Sequence, residues 1–161
     1  AIDGLGLVLN IAAILLAFVA LIALVNGVIG MVGGWFGITN LSLQSILGYI
    51  FAPVAVIIGV PMKEAVVAGS LIGQKIILNE FVAFTSLSEI MSTLSAKTIA
   101  VVTFSLCGFA NISSIAILIG GIGGMAPSRK HDIARLGWKA VLGGTLANLL
   151  SATIAGLLLT I

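Results

Sequence analysis

Two short stretches carry almost all the side chains that could do chemistry. "LNEFVAF", residues 78–84, sets the acid Glu80 beside the amide Asn79 among apolar neighbours, and "CGFANISS", residues 107–114, gathers Phe109, Asn111, Ser113 and Ser114 in a similar setting. A nucleophile–base enzyme would need a base near Ser113 or Ser114, but the single histidine, His131, lies in a charged segment far along the chain. Cys107 is the only cysteine, so no intrachain disulfide can form, and no paired Cys or His spacing points to a metal site. "GGIGG" at 120–124 is deep in an apolar run with no following Lys-Ser/Thr, which argues against a phosphate loop. What remains is recognition: an acid, an amide and hydroxyls positioned to meet a solute.

The surroundings of those residues are a membrane. Of 161 residues, 60% are hydrophobic and 7% charged, and the mean hydropathy is +1.32, well outside soluble domains. Twenty glycines against three prolines fit closely packed membrane helices. A net charge of +2, with basic residues not interleaved with aromatics, excludes a nucleic-acid face. The chain opens Ala-Ile-Asp without a signal-peptide pattern and is expected to be a fragment.

Residues 6–37 are uncharged and longer than the roughly 20 residues that cross a bilayer core, so they are predicted to span it. Asn10 and Asn26 within that run read as interhelical hydrogen-bonding residues, and Trp35 sits where interfacial aromatics belong. Residues 39–61 carry Gln44, Tyr49 and Pro53; they either cross the membrane or lie obliquely in its interface. Residues 62–96, with Lys63, Glu64, Lys75, Glu80 and Glu89, are too polar for a lipid-facing span. Each arm around "NEF" is about 15 residues, short of a crossing. A re-entrant helical hairpin with Asn79-Glu80-Phe81 at its tip accounts for both facts.

A carboxylate at the centre of a lipid-facing helix costs about 2.5–3.5 kcal/mol even on insertion scales, and non-helical backbone at that depth is tolerated only against protein or a watery cavity. Glu80 therefore faces a cavity; the alternative is an ion pair with Lys75 that holds the hairpin together. Residues 97–125 read as a discontinuous helix whose polar centre, 107–114, offers Phe109, Asn111 and Ser114 to a ligand at the midplane, or else packs helices with its small residues. Residues 126–139 hold four of the seven basic residues and are predicted to form a cytoplasmic loop, with His131 solvated there. Residues 140–161 then cross outward, leaving the C-terminus outside, the hairpin open to the outside and residue 1 near the cytoplasmic face.

"NEFVAF" at 79–84 followed by "CGFANISSIAI" at 107–117 resembles the C-terminal domain, the second repeat, of the concentrative nucleoside transporters, and the resemblance covers essentially the whole chain. It implies an all-α integral membrane protein: transmembrane helices with a re-entrant hairpin and a discontinuous helix, half of an inverted-repeat transporter. Residues 1–61 would be a scaffold helix plus an oblique helix, and 62–161 the moving transport-domain half.

Carried over by motif, Glu80, Asn111 and Ser114 would bind the ribose of a uridine-like nucleoside and Phe109 would flank the base, with Asn79 and Ser113 in support. The residue chemistry suits this, since a carboxylate only accepts, a carboxamide both donates and accepts, and an aromatic face suits a nucleobase. Glu80 is expected to be hydrogen-bonded only when substrate fills the site.

The resemblance further implies an ion-coupled symporter, not an enzyme, working by an elevator-like step in the plasma or inner membrane, as a homotrimer surrounded by lipid and with no nucleic-acid partner. The coupling cation, sodium or proton, would have its site largely in a first repeat absent from this sequence. The competing readings are a transporter of another small polar solute, or a passive channel, which would need the continuous polar stripe that 6–37 and 140–161 lack.

Overall fold

The computed structural model describes residues 2–115, 119 and 127–159. The named elements are α1 (Ile2–Trp35), α2 (Leu43–Ile57), α3 (Ala65–Ile77), α4 (Glu80–Ile90), α5 (Ala96–Leu106) and α6 (Lys130–Leu158), with 3-10 turns at Met62–Glu64, Met91–Thr93 and Pro127–Arg129. Residues 112–115 and 119 are also helical. By contacts the chain divides into two compact units, Ala1–Ile46 and Leu47–Ile161.

In the first unit the long apolar run becomes α1, 34 residues, or about 51 Å of helix, more than a bilayer core requires. Beyond Trp35 the chain turns through Gly37 and Asn40, both in the left-handed region with φ of 70° and 62°. Asn26 meets the returning segment: its Oδ1 accepts the Leu43 N–H at 2.8 Å and its Nδ2 donates to Gln44 Oε1 at 2.9 Å. That is the packing role expected of it. The side chain of Asn10 lies outside the described residues.

Helix α2, whose residues from Leu47 on belong to the second unit, has 15 residues with Pro53 inside, about 22 Å and too short for a straight crossing by itself. From Leu47 onward it packs on α3 at backbone distance, because glycines face each other there: a Cβ on Gly69 would lie 2.7 Å from the Gly48 carbonyl oxygen and 2.6 Å from the Ala52 nitrogen. Lipid tails are as apolar as leucine, so such close packing, and not water exclusion, holds membrane helices together.

Residues 62–96 form the expected hairpin, with arms of 13 residues in α3 and 11 in α4. The break falls at Leu78 and Asn79, so Glu80 is the first residue of α4 and not the apex of a loop. Midway along the arms, Gln74, 2% exposed, donates to Ser70 Oγ at 3.1 Å and accepts from Ser86 Oγ at 2.8 Å, tying α3 to α4. At the mouth, Glu64 accepts from the Ser95 hydroxyl at 2.8 Å and from the Ser95 N–H at 3.2 Å. Ser95 is itself the N-cap of α5, its hydroxyl accepting the Thr98 N–H.

The discontinuous helix is also present: α5 stops at Leu106 and helix resumes at 112. Residues 116–118 and 120–126, including "GGIGG", lie outside the described residues. The buried centre of this unit gathers Leu71, Leu87, Val101, Val102, Leu106 and Ala152 from α3, α4, α5 and α6.

One boundary differs from expectation. Residues 130–139, predicted as part of a cytoplasmic loop, are the opening turns of α6, so the last helix starts at Lys130 and not at 140. Charged side chains are compatible with a helix, and some of these pair at helical spacing: Arg129 and Arg135 both reach Asp132, at 2.6 Å and 3.8 Å, each three residues away. With 29 residues, α6 is about 43 Å long, so it outlasts a hydrocarbon core of about 30 Å with its charged turns left over. His131 is exposed on those turns. The stretch His131–Leu158 is long and apolar enough to cross a membrane.

Candidate functional site

The two helix breaks meet. At the hairpin tip Asn79 is the N-cap of α4, its Oδ1 accepting the Val82 N–H at 2.9 Å. At the second break, Asn111 and Ser114 form a reciprocal capping box: Asn111 Oδ1 accepts the Ser114 N–H at 2.8 Å, and Ser114 Oγ accepts the Asn111 N–H at 3.2 Å. Both residues are buried, at 0% and 5% exposure. A break in a helix leaves backbone N–H groups without intrahelical partners, and these side chains satisfy them locally.

The cap leaves the Asn111 amino group over, and it donates to Glu80 Oε2 at 2.8 Å. Ser113 completes the junction. Its hydroxyl lies 2.7 Å from Asn111 Oδ1 and 3.0 Å from the Leu78 carbonyl oxygen, and its one proton serves either acceptor. Of the residues predicted from sequence, Glu80, Asn111, Ser113 and Ser114 are therefore brought together, with Asn79 shaping the tip. Phe109 projects outward, 66% exposed, and shares a cavity of about 350 Å³ with Ser114 and Asn148.

The expectation that an empty site leaves Glu80 to water is corrected: its Oε2 is already held by Asn111 without any ligand. The physical reason is the capping box, which orients the Asn111 carboxamide so that its amino group points away from its own helix. Glu80 Oε1 has no hydrogen bond among the described residues, so part of the carboxylate's accepting capacity is unused, and Glu80 is not among the residues that line the Phe109–Ser114–Asn148 cavity. Glu80 also heads α4, where unpaired N–H groups and the helix dipole favour a negative charge.

The alternative role of Glu80, an ion pair with Lys75, is met only in part. Lys75 is 1% exposed and attracts Glu80 electrostatically. Among the described residues the only ion pairs within 4.0 Å are those of Asp132, so ammonium and carboxylate are not in contact. Lys75 lies in the last turn of α3, where the helix dipole also favours a cation.

Sequence reasoning passed over two features. Gln74 braces the hairpin, and an amide beside Lys75 and four residues after Ser70 in a mostly apolar helix was the available signal. On α6, Thr145 Oγ1 and Asn148 Nδ2 are buried without a hydrogen-bond partner among the described residues, and here the signal was an asparagine within a run of Gly and Ala spaced four apart. Among the described residues no group of three His, Cys, Asp or Glu side chains converges to hold a metal ion.

The model of a family described as the Na+ dependent nucleoside transporter C-terminus matches residues 1–156. The uncharacterized transporter YutK of Bacillus subtilis (strain 168) is 60% identical over 154 residues, covering 96% of this chain and 38% of that protein. The nucleoside permease NupC of Helicobacter pylori is 51% identical over 159 residues, again covering 96% and 38%. A solved structure of CNTnw, in an inward-facing substrate-bound state, superposes with a TM-score of 0.93 at 55% identity, covering 98% of this chain and 39% of that one. The chain thus spans about two fifths of the length of these relatives.

Proposed function

The chain belongs to the family of the sodium-dependent nucleoside transporter C-terminus, and on that premise we propose that it forms the second half of an ion-coupled nucleoside symporter, with Glu80 as the acceptor for ribose hydroxyls at the membrane midplane. The observation that carries this is the half-filled carboxylate. Oε2 is fixed by Asn111, so Oε1 is presented in a set orientation to a donor from outside the chain. A ribose offers vicinal hydroxyl donors, and a hydrogen bond to a charged acceptor is worth about 1.5–3 kcal/mol, enough to select a sugar over an apolar solute.

Asn111 and Ser114 orient and flank the sugar, Asn79 and Ser113 keep the two breaks in register, and the exposed ring of Phe109 stacks against the base. In this reading residues 1–61 act as scaffold, within a homotrimer in the plasma or inner membrane. Residues 62–161 carry the site between the two faces in an elevator-like step driven by sodium or proton, which travels with the nucleoside as a second substrate.

The test is uptake of labelled uridine by the full-length protein in transport-deficient cells, native against Glu80→Gln at matched surface expression. A steep rise in half-saturation for the variant is expected. Equal transport by both would make Glu80 a structural charge, and concentration of a different polar solute with uridine ignored would replace the nucleoside assignment.

A further inference from the structure

On α6 the residues Gly144, Asn148, Ala152 and Gly156 recur every fourth position and so share one face. That face lies on α5 and its continuation, running antiparallel. A Cβ on Gly156 would meet Val101 Cγ2 at 2.7 Å, Ala152 is fully buried, a Cβ on Gly144 would meet the Ala110 Cβ at 3.0 Å, and one on Gly137 would meet Ile115 Cγ2 at 2.8 Å. At Gly144, Ala152 and Gly156, the other members of this four-residue series, the side chain is a methyl group or less.

The exception within that series is Asn148, and it falls opposite the break, between the end of α5 at Leu106 and the return of helix at 112. A Cβ on Gly108 would land on the Asn148 carboxamide. The one polar side chain of the 144–148–152–156 series thus occupies the space that the missing helical turn vacates. Its Nδ2 is buried and has no hydrogen-bond partner among the described residues, and the residue lines the cavity that holds Phe109 and Ser114.

Resting on the transport reading above, we infer that Asn148 is a positioning residue of the binding site. Its carboxamide, seated in the notch that Gly108 leaves, fixes the turn at 108–111 and through it the direction of Phe109 and the capping box of Asn111 and Ser114. Packing alone does not need an asparagine here, since alanine completes the seam one turn later at Ala152. The buried amino group is the feature that a purely space-filling role leaves unused. A buried donor without an acceptor is costly, and an acceptor entering the Phe109–Ser114 cavity, a water or an oxygen of the solute, relieves it.

The experiment uses the full-length transporter with Gly108→Ala, Asn148→Ala, Asn148→Ser and the double variant Gly108→Ala/Asn148→Ala. Uridine half-saturation and maximal rate are measured at matched surface expression. Asn148→Ala is expected to raise half-saturation about five- to tenfold with the maximal rate little changed, and Gly108→Ala to raise it further, because the new methyl collides with the carboxamide. The double variant is expected to do better than Gly108→Ala alone, since removing the amide makes room for the methyl, a coupling that independent sites do not show.

A second readout needs no transport: the rate at which a maleimide labels the exposed Cys107, followed at the peptide level on purified protein, changes in Asn148→Ala and Asn148→Ser if Asn148 holds the neighbouring turn. Additive effects in the double variant together with unchanged Cys107 labelling overturn the inference. Glu80→Gln run alongside separates the two claims: if it leaves uridine uptake untouched, the ribose assignment fails, while the labelling arm still decides the role of Asn148.

Discussion

The hairpin carries the same clasp twice, once at its mouth and once at its tip. At the mouth, Glu64 heads α3 and accepts from Ser95, 31 residues on, which caps α5 and meets Thr98 three residues later. At the tip, Glu80 heads α4 and accepts from Asn111, also 31 residues on, which caps the resumed helix and meets Ser114 three residues later. Each pairs an acid at one helix start with the N-cap of another. They differ in completeness. Glu64 takes both the N–H and the hydroxyl of Ser95 across its two oxygens, whereas Glu80 takes one amide hydrogen on one oxygen. The finished clasp has the form of a structural fastening, and the unfinished one keeps a carboxylate oxygen without a partner among the described residues, which is the feature that the proposed ribose contact uses.

Exchanging acid for amide at each clasp separates the two roles. Glu80→Gln is expected to raise uridine half-saturation about 10- to 100-fold, the worth of a charged hydrogen bond, with thermal stability in detergent almost unchanged. Glu64→Gln is expected to do the reverse, lowering thermal stability and leaving half-saturation within about twofold. Uptake kinetics and thermal unfolding on the same four proteins, native, two single variants and one double, check this. Equal loss of uptake from both acids would make the clasps equivalent.

Asn111 sharpens the comparison because it serves cap and acid together. Asn111→Ala removes the cap, worth about 0.5–2 kcal/mol, and frees Glu80, so both stability and uptake fall. Asn111→Asp keeps the cap but places a second carboxylate beside Glu80, where the amide now stands at 2.8 Å. Two carboxyl groups that close repel each other where a carboxamide had donated, so uptake is expected to be lost while thermal stability falls less than in Asn111→Ala. Measuring uridine uptake and thermal unfolding for the two variants distinguishes lost orientation from added repulsion. At the mouth the corresponding change, Ser95→Ala, costs about 1 kcal/mol as a lost cap and is expected to leave half-saturation alone.

How much of this was legible in the sequence follows from which interactions are local. The hairpin and its tip were readable because two arms too short to cross, with an acid between them, admit few other solutions, and α3 and α4 confirm it. The discontinuous helix was readable from a polar centre in an apolar run. The start of α6 was not, since Arg129, Asp132 and Arg135 look like a loop until their three-residue spacing is seen as a helical surface. Nor was the hold of Asn111 on Glu80, or the repetition of that geometry at Glu64 and Ser95, because side chains 31 positions apart in sequence meet only once the helices have packed. Asn148 was hidden for a further reason. Its role depends on an absence in its neighbour, the missing turn at Gly108, which no pattern within α6 records.

The smallest expected effect belongs to the finished clasp alone. The Thr98 hydroxyl, with the hydroxyl and N–H of Ser95, holds the Glu64 carboxyl below the usual carboxylate range, against a smaller opposing effect of burial. A carboxyl whose folded-state pKa lies below its unfolded value stabilises the fold at any pH above the unfolded value, and that contribution fades as the pH falls through the folded one. Thermal stability of the purified full-length protein in detergent should therefore decline slightly more steeply below the ordinary carboxylate range in the native protein than in Glu64→Gln, and the two curves should converge at the acid end. Parallel curves would mean that the mouth clasp is screened by solvent to the point of contributing nothing, and would leave the tip as the one clasp of the two that carries free energy of either kind.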